Sequence, residues 1–297
     1  MKAIILTLLT VAGFASLSFS QEAPILVSPQ WLNEHQKDPN VVIVQVNFMK
    51  IDYTDEHIPG ARYLWPGWLA PDSPEGAMNQ PDLKKADEVI GSLGISNTSH
   101  VILCHVRSEV SPTARMFLTF EYLGMKGKVS FLNGGLEAWK KAGYAVTKEL
   151  PVYKAGKFKS KIDPVIVDRH YVLGHLHSDS VTIVDARMAR FYNGETTGNP
   201  RDGHITGAKN IPYTEMVDAA NVFKPNDQLQ AYFTPVADTK EKELVTYCFI
   251  GQTASVVYLA GRILGYPMKL YDGSLQEWSR IKELPMEMPE KKAEGKP

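Results

Sequence analysis

The sequence predicts an α/β protein of two similar domains, each with a mainly parallel sheet covered by helices on both faces. Two observations support this prediction. Short apolar, β-branched segments alternate with apolar helical segments along the chain, and this alternation is typical of parallel sheets. The second half of the chain also repeats the first, and 297 residues are enough for two domains of ordinary size.

The internal repeat consists of three pairs of segments that occur in the same order in both halves. A single short match would mean little, but three matches in order indicate a duplicated domain. The pairs are EHIPGARYL (56–64) with GHITGAKNI (203–211), FEYLGM (120–125) with GRILGY (261–266), and FLNGGLEAW (131–139) with LYDGSLQEW (270–278).

Each half contains the same succession of predicted strands, with helical segments between them. Ligands of parallel sheets bind beyond the carboxyl ends of the strands. Cys248 ends the central strand LVTYC of the second half, so it lies where function is expected. The predicted strands are 41–46, 101–105 and 128–132 in the first half and 181–186, 244–248 and 268–272 in the second.

The N-terminal residues predict that the protein is exported. Residues 1–20 contain a lysine, an apolar core and small residues near the end, which indicates a secretory signal peptide cleaved after Ser20. A membrane anchor is the weaker alternative, because the apolar stretch is short for a bilayer. We therefore expect a periplasmic or extracellular protein without a membrane span in the mature chain. The predicted parts are a signal peptide 1–20, a first domain 24–146, a polar linker 147–163, a second domain 164–284 and an unfolded or loosely docked tail 285–297.

Composition and cysteine count exclude several classes of function. The formal net charge of -1 argues against a nucleic-acid-binding protein, which normally has a basic excess. The two cysteines, Cys104 and Cys248, could form one disulfide in an oxidising compartment. They are too few for a zinc site, and no histidine cluster completes one.

The two cysteines occupy different positions in the repeat. Cys248 stands between the strand LVTY and the helical segment TASVVYLAGRIL, among N–H groups that have no helical partner. In the first half, His105 occupies the position of Cys248. Cys104 precedes it by one residue, so its side chain should point to the opposite face as a buried small hydrophobe.

Taken together, these motifs resemble the tandem-domain form of the rhodanese sulfurtransferase family. The resemblance rests on VDAR, GHITGAKNIP, VTYC and LYDGSLQEW in the second half and on EHIPGARYL, VILCH and LNGGLEAW in the first. It implies two tandem rhodanese-like domains, of which the second is catalytic and the first is an inactive partner that closes the cleft. The first half indeed has no counterpart of Asp185 and Arg187, since its strand ends in VQVN.

The resemblance implies that residues 248–253 form the active-site loop, with Cys248 as the nucleophile. The backbone N–H groups of such a loop turn toward the sulfur and favour a thiolate, and Gly251 permits the turn. Arg190 matches the family's substrate-binding arginine, and a guanidinium suits a sulfonate. A surface arginine or a salt-bridge partner is an alternative that we leave open. The implied substrate-binding residues are Arg190, Phe249, Ile250, Gly251, Gln252 and Thr253.

The implied reaction is a double displacement through a Cys248 persulfide, with a thiol or cyanide as the acceptor and no metal or organic cofactor. The donor is a small sulfur-containing anion. Thiosulfate is favoured because the mercaptopyruvate-type loop is missing, although Phe249, Ile250 and Gln252 also lack the cations common in thiosulfate-using relatives. 3-Mercaptopyruvate as donor and a carrier that delivers sulfur to a partner protein are the alternatives. Phosphatases that share this fold bind phosphate through an arginine that follows the cysteine in the loop. The first arginine after Cys248 is Arg262, well into the predicted helix, so we do not expect phosphatase activity.

Other conspicuous residues have structural interpretations. We expect Arg187 to pair with a carboxylate, His57 and His204 to stabilise turns, and both Trp139 and Trp278 to belong to the core.

Overall fold

The first domain follows directly from the strand and helix segments of the first half. The computed structural model describes residues 23–74 and 76–288. Within these, a 3-10 turn (Pro66–Trp68) precedes the third helix and a π-helical turn (Glu121–Met125) follows the fourth. The elements are β1 Leu26–Val27, α1 Pro29–His35, β2 Val41–Val46, α2 Lys50–Asp55, β3 Arg62–Leu64, α3 Leu83–Ser92, β4 His100–His105, α4 Val110–Phe120, β5 Val129–Leu132 and α5 Gly135–Lys141.

The second domain repeats this succession and adds a small antiparallel pair. A 3-10 turn (Tyr213–Glu215) precedes its third helix. The elements are β6 Ile166–Val167, α6 Arg169–Gly174, β7 Val181–Asp185, α7 Ala189–Tyr192, β8 His204–Ile205, β9 Lys209–Asn210, α8 Asn226–Phe233, β10 Glu243–Tyr247, α9 Ala254–Ile263, β11 Met268–Tyr271, α10 Ser274–Trp278 and β12 Met286–Glu287.

The two main sheets have the same topology. Their strand orders are β1-β5-β4-β2-β3 and β6-β11-β10-β7-β9, and all neighbouring strands run parallel. The central strands β4 and β10 therefore occupy equivalent places. The predicted fold class, two tandem α/β domains with parallel sheets, is confirmed.

Side chains at the helix N-termini explain where several helices begin. Ser28 accepts a hydrogen bond from the Trp31 N–H at 3.0 Å, and Asp82 and Asp168 cap α3 and α6 in the same way. Each cap satisfies a backbone donor that the first turn of a helix leaves free.

Alternating residues on the strands divide the core into three layers. Val44 and Leu103 face a large inner core that continues into the second domain, whereas Ile43 and Ile102 face an outer layer under α1 and α5. The second domain has a separate outer layer under α6 and α10. Since the inner core belongs to both domains, apolar burial holds the two domains together.

The interface between the domains is centred on α4 and α9, which pack against each other. Glu121 at the end of α4 binds Arg262 of α9, with Nη2 2.9 Å from Oε1, and it also accepts the Tyr258 hydroxyl at 2.6 Å. Glu121 and Arg262 occupy corresponding positions in FEYLGM and GRILGY, so the two halves of the repeat meet through equivalent residues.

The predicted linker lies along the first domain without a helix or strand of its own between residues 148 and 163. Phe158 is buried, and the N–H groups of Gly156 and Lys161 donate to Gly91 O and Leu123 O at 2.8 and 3.0 Å. The polar, lysine-rich composition therefore did not prevent ordered docking.

The prediction of an unfolded or loosely docked tail from Pro285 is wrong at its start. β12 pairs antiparallel with β8, and Trp278 Nε1 donates to Pro285 O at 3.0 Å. Two ladder residues carry too little sequence pattern to be recognised. Residues 289–297 and the predicted signal peptide lie outside the described residues. Within the described ranges, no helix is both long and apolar enough to cross a membrane.

Candidate active site

Cys248 follows directly after β10, at the carboxyl end of the central strand of the second sheet. The start of α10 anchors it on both sides: its N–H donates to Ser274 Oγ at 3.3 Å, and its carbonyl accepts the Leu275 N–H at 3.0 Å. The next carbonyl, of Phe249, accepts the Gln276 N–H at 2.9 Å. The loop therefore begins in a fixed position.

The remainder of the loop carries a run of free backbone donors. In the described part of the chain, the N–H groups of residues 249–253 make no hydrogen bond. They lie between the end of β10 and the N-terminus of α9, whose first N–H groups carry partial positive charge. Such a run of donors is a ready binding place for an anion.

Gly251 gives the loop its shape, as the sequence predicts. Its φ is +80°, in the left-handed region that favours glycine. Its carbonyl accepts the Ser255 hydroxyl at 2.9 Å, which ties the loop to the first turn of α9.

The Cys248 side chain faces the inner core and is closely covered, with 1% of its surface exposed. Cys104 lies on the opposite face of its sheet, in the outer layer, as predicted. Burial, followed by the nearby Glu137, raises the pKa of the Cys104 thiol, so this side chain stays protonated. Both cysteines are free, which excludes the disulfide that the sequence left open.

A buried ion pair supports the loop from the neighbouring strand. Arg187 Nε donates to Asp185 Oδ1 at 3.0 Å and Nη2 donates to Oδ2 at 2.6 Å, so the predicted carboxylate pairing of Arg187 is confirmed. The Tyr247 hydroxyl also donates to Asp185, at 2.9 Å. Burial opposes the charge on Arg187, but Asp185 raises the pKa of Arg187 above its ordinary value. The guanidinium lies 5.0 Å from the centre of the Phe249 ring.

Arg190 is placed differently from the buried pair. Its side chain is 55% exposed, Nε lies 3.8 Å from Glu195 Oε1, and the guanidinium stacks on Phe191 at 4.5 Å. Phe191 in turn contacts Phe249 edge-on, at 5.3 Å between ring centres. Arg190 therefore stands at the rim of the loop, and its binding role stays a prediction.

The first domain covers the other side of the loop. A cavity of about 210 Å³ lies between Ile250 and Gln252 of the loop and an apolar wall that includes Phe48, Trp65 and Met78. The Gln252 amide also donates to Ser111 Oγ at 3.0 Å, across the domain interface. A second cavity, of about 480 Å³, begins beyond Ser111. Of the predicted binding residues, Thr253 ends the loop at the N-cap of α9.

A buried arginine that the sequence alone did not indicate lies beneath the loop. Arg115, in the middle of α4, is fully buried and its Nη2 lies 2.6 Å from Asp272 Oδ1. A Cβ built on Gly251 would lie 3.0 Å from Arg115 Nη1. The signal in the sequence is a single arginine inside the apolar segment ARMFLTF, but only the docking of the domains gives it a place.

The equivalent position in the first domain is occupied by a histidine, His105. His105 is buried beneath the following turn, its Nδ1 donates to Arg107 O at 3.2 Å, and its Nε2 has no partner in the described part of the chain. Burial lowers the pKa of His105 to about 4. The first domain therefore presents a neutral imidazole where the second presents a thiol.

This depressed pKa predicts a loss of stability in acid. Unfolded His105 binds a proton near pH 6.5 and folded His105 only near pH 4, so the contribution is complete above pH 6.5 and is lost between these values. We expect the free energy of unfolding to fall by about 2–3 kcal/mol more in the wild type than in His105→Gln between pH 7 and pH 4. Urea unfolding at both pH values measures this difference, and equal losses in both proteins would contradict it.

The histidines and tryptophans of the repeat have structural roles, as predicted. His57 and His204 donate through Nδ1 to Tyr53 O and Tyr192 O at 2.7 and 2.8 Å, and each stacks on that tyrosine ring. Trp139 and Trp278 are buried within the outer layers of the two domains. Among the described residues, no three His, Cys, Asp or Glu side chains form a group that could hold a metal ion.

Comparisons with known proteins agree with this geometry. The model of the rhodanese-like domain matches twice, at residues 28–142 and 168–281. The chain is 33% identical to the sulfur carrier protein TtuD of Thermus thermophilus, over 88% of this chain and 96% of that protein. It is 28% identical to a thiosulfate sulfurtransferase of Azotobacter vinelandii, over 93% and 99% of the two chains.

A solved relative has the same architecture. The crystal structure of SseA from Escherichia coli, a 3-mercaptopyruvate sulfurtransferase, superposes with a TM-score of 0.75 at 30% identity and covers 85% of this chain and 99% of SseA. The family model covers most of this chain, and these relatives match it over nearly their whole length. The chain therefore belongs to the rhodanese family of sulfurtransferases, with two rhodanese-like domains in tandem.

Proposed function

We propose that the protein transfers a sulfane sulfur from thiosulfate to cyanide or a thiol through a persulfide on Cys248. The observation that carries this proposal is the cysteine followed by the free N–H groups of residues 249–253 at the start of α9. These donors can stabilise a thiolate, the incoming anion and the persulfide in turn.

The chemistry takes two displacements. The Cys248 thiolate attacks the outer sulfur of thiosulfate, the S–S bond of the donor breaks, and sulfite leaves with the bonding electron pair. The acceptor then attacks the outer sulfur of the persulfide and regenerates the thiolate, so that cyanide becomes thiocyanate. No net oxidation is needed, and the kinetics should be ping-pong.

Access to the sulfur requires movement. Because Cys248 has 1% of its surface exposed, a donor reaches it only if Ile250, Gln252 or the covering wall of the first domain shifts. The cavity of about 210 Å³ beside the loop offers space for a small anion. Domain or loop opening is thus part of the proposed cycle.

Two alternatives have specific support. The likeness to SseA favours 3-mercaptopyruvate as donor, and the likeness to TtuD favours a carrier that loads sulfur once and passes it to a protein. We retain thiosulfate because Phe249 and Ile250 follow Cys248 where mercaptopyruvate-using relatives have a glycine and a small polar residue. We further propose that the protein works outside the cytoplasm, on the basis of residues 1–20.

Intact mass spectrometry after incubation with each donor tests the proposal. We expect thiosulfate to add one sulfur atom to the wild-type protein, on the peptide that contains Cys248, and cyanide to remove it repeatedly. Loading by 3-mercaptopyruvate alone would reassign the donor. One loading event without turnover would identify a carrier. No loading by either compound would contradict sulfur transfer altogether.

A further inference from the structure

The loop carries no charged side chain, although its proposed substrates and intermediates are anions. Residues 249–253 are Phe, Ile, Gly, Gln and Thr. Arg187 is nearby, but its guanidinium makes three side-chain hydrogen bonds to Asp185, whose carboxylate offsets its charge. Further positive charge for the loop must therefore come from a residue outside both the loop and the neighbouring strand β7.

Arg115 has the required position and free donors. It belongs to α4 of the first domain, yet its guanidinium lies under Gly251 of the second, with Nη1 3.0 Å from a Cβ built there. Nη2 lies at ion-pair distance from Asp272 Oδ1, 2.6 Å, but in the described part of the chain none of Nε, Nη1 and Nη2 makes a hydrogen bond. A fully buried guanidinium with free donors is costly unless it interacts with a further negative group.

Asp272 connects this cation to the nucleophile along the chain. It stands two residues before Ser274, whose Oγ accepts the Cys248 N–H. Its second oxygen accepts the Gln80 N–H at 3.0 Å. Both members of the ion pair lie against the middle of the loop, since a Cβ built on Gly251 would lie 3.0 Å from Arg115 Nη1 and 3.6 Å from Asp272 Oδ1. Asp272 is also close in sequence to Ser274, which anchors Cys248.

We propose that Arg115 is the positioning residue of the Cys248 loop, by which the domain without a nucleophile supplies the positive charge that favours the thiolate and persulfide. The part that concerns the persulfide rests on the proposed function. The part that concerns the thiolate rests only on the position of Arg115. Asp272 partly offsets the charge, so Arg115 and Asp272 should act on the sulfur in opposite directions. In a site from which water is largely excluded, one nearby charge strongly changes the balance between thiol and thiolate.

Alkylation of Cys248 by the neutral reagent iodoacetamide tests this role without any sulfur donor. At pH 6, Arg115→Met should slow alkylation by about tenfold, and the rates of the variant and the wild type should differ less at pH 9. Arg115→Lys should stay within about threefold of the wild type at pH 6. Asp272→Asn should leave the rate at pH 6 unchanged or raise it. The peptide that contains Cys248 is quantified by mass spectrometry, which separates it from Cys104.

The pair Arg262 and Glu121 provides a matched control, since it is also an arginine–carboxylate pair between the domains but lies at the far end of α9. We expect Arg262→Met combined with Glu121→Gln to change alkylation less than about twofold. Should Arg115→Met fail to fold, Arg115→Met with Asp272→Asn removes both charges and should still alkylate slowly at pH 6.

Several results would overturn the proposal. These are equal rates for Arg115→Met and the wild type at both pH values, equal slowing at pH 6 and pH 9, or slowing in Asp272→Asn as large as in Arg115→Met. The last two would reveal a purely structural pair. Failure of the wild type to load sulfur would refute the proposed function instead and leave the alkylation result standing.

Discussion

Replacing Cys248 by serine should abolish sulfur transfer. Serine is close in size and keeps the backbone contacts with Ser274 and Leu275, so the fold should remain. A serine hydroxyl, however, does not ionise near neutral pH and cannot form a persulfide. We expect turnover of thiosulfate and cyanide to fall by at least about a thousandfold, with no sulfur added to the protein. Thiocyanate production and intact mass measure the two effects.

Cys104→Ser is the control for this prediction. Cys104 is buried on the opposite face of its sheet, so turnover should stay within about twofold, while the buried hydroxyl lowers the free energy of unfolding by about 1–2 kcal/mol. Activity that survives in Cys248→Ser would show that another group is the nucleophile. A large loss of activity in Cys104→Ser would contradict the inactive role of the first domain.

The largest loss of stability is expected for Asp185→Asn. Asparagine keeps the shape of the side chain but leaves the Arg187 charge without its carboxylate, and both residues are almost completely buried. Breaking such a pair from one side costs about 3–5 kcal/mol, because the remaining charge is buried and uncompensated. Urea unfolding of the variant and the wild type at pH 7 measures the difference.

Glu195→Gln provides the matched control for this prediction. It removes the carboxylate partner of Arg190, but both side chains of that pair are more than half exposed. We expect a change below about 1 kcal/mol, as is usual for exposed ion pairs. If Asp185→Asn lowered the free energy of unfolding as little as Glu195→Gln, water would have to reach the Arg187 charge. The buried ion pair would then not explain how the loop is held in place.

Local pattern was sufficient to predict the parallel sheets and the position of the candidate nucleophile, Cys248. Strand residues alternate between two faces, which is why the Cys104 side chain could be assigned to the face opposite to that of His105. The sequence also predicted that Arg187 pairs with a carboxylate, and the structure identifies that carboxylate as Asp185. The pairing of β12 with β8 could not be predicted, because it joins two short segments whose paired residues are 81 and 83 positions apart.

By itself, the sequence determined the duplication, the parallel α/β architecture and the single candidate thiol at the carboxyl end of β10. Only the tertiary structure decided what surrounds that thiol: the cover over Cys248, the exposed position of Arg190, and the placing of Arg115 beneath Gly251. Periodicity reports the face on which a residue lies, since it reflects neighbours within one element. The contacts between α4 and the loop join two domains that are far apart in the sequence, and they depend on the apolar core that both domains share.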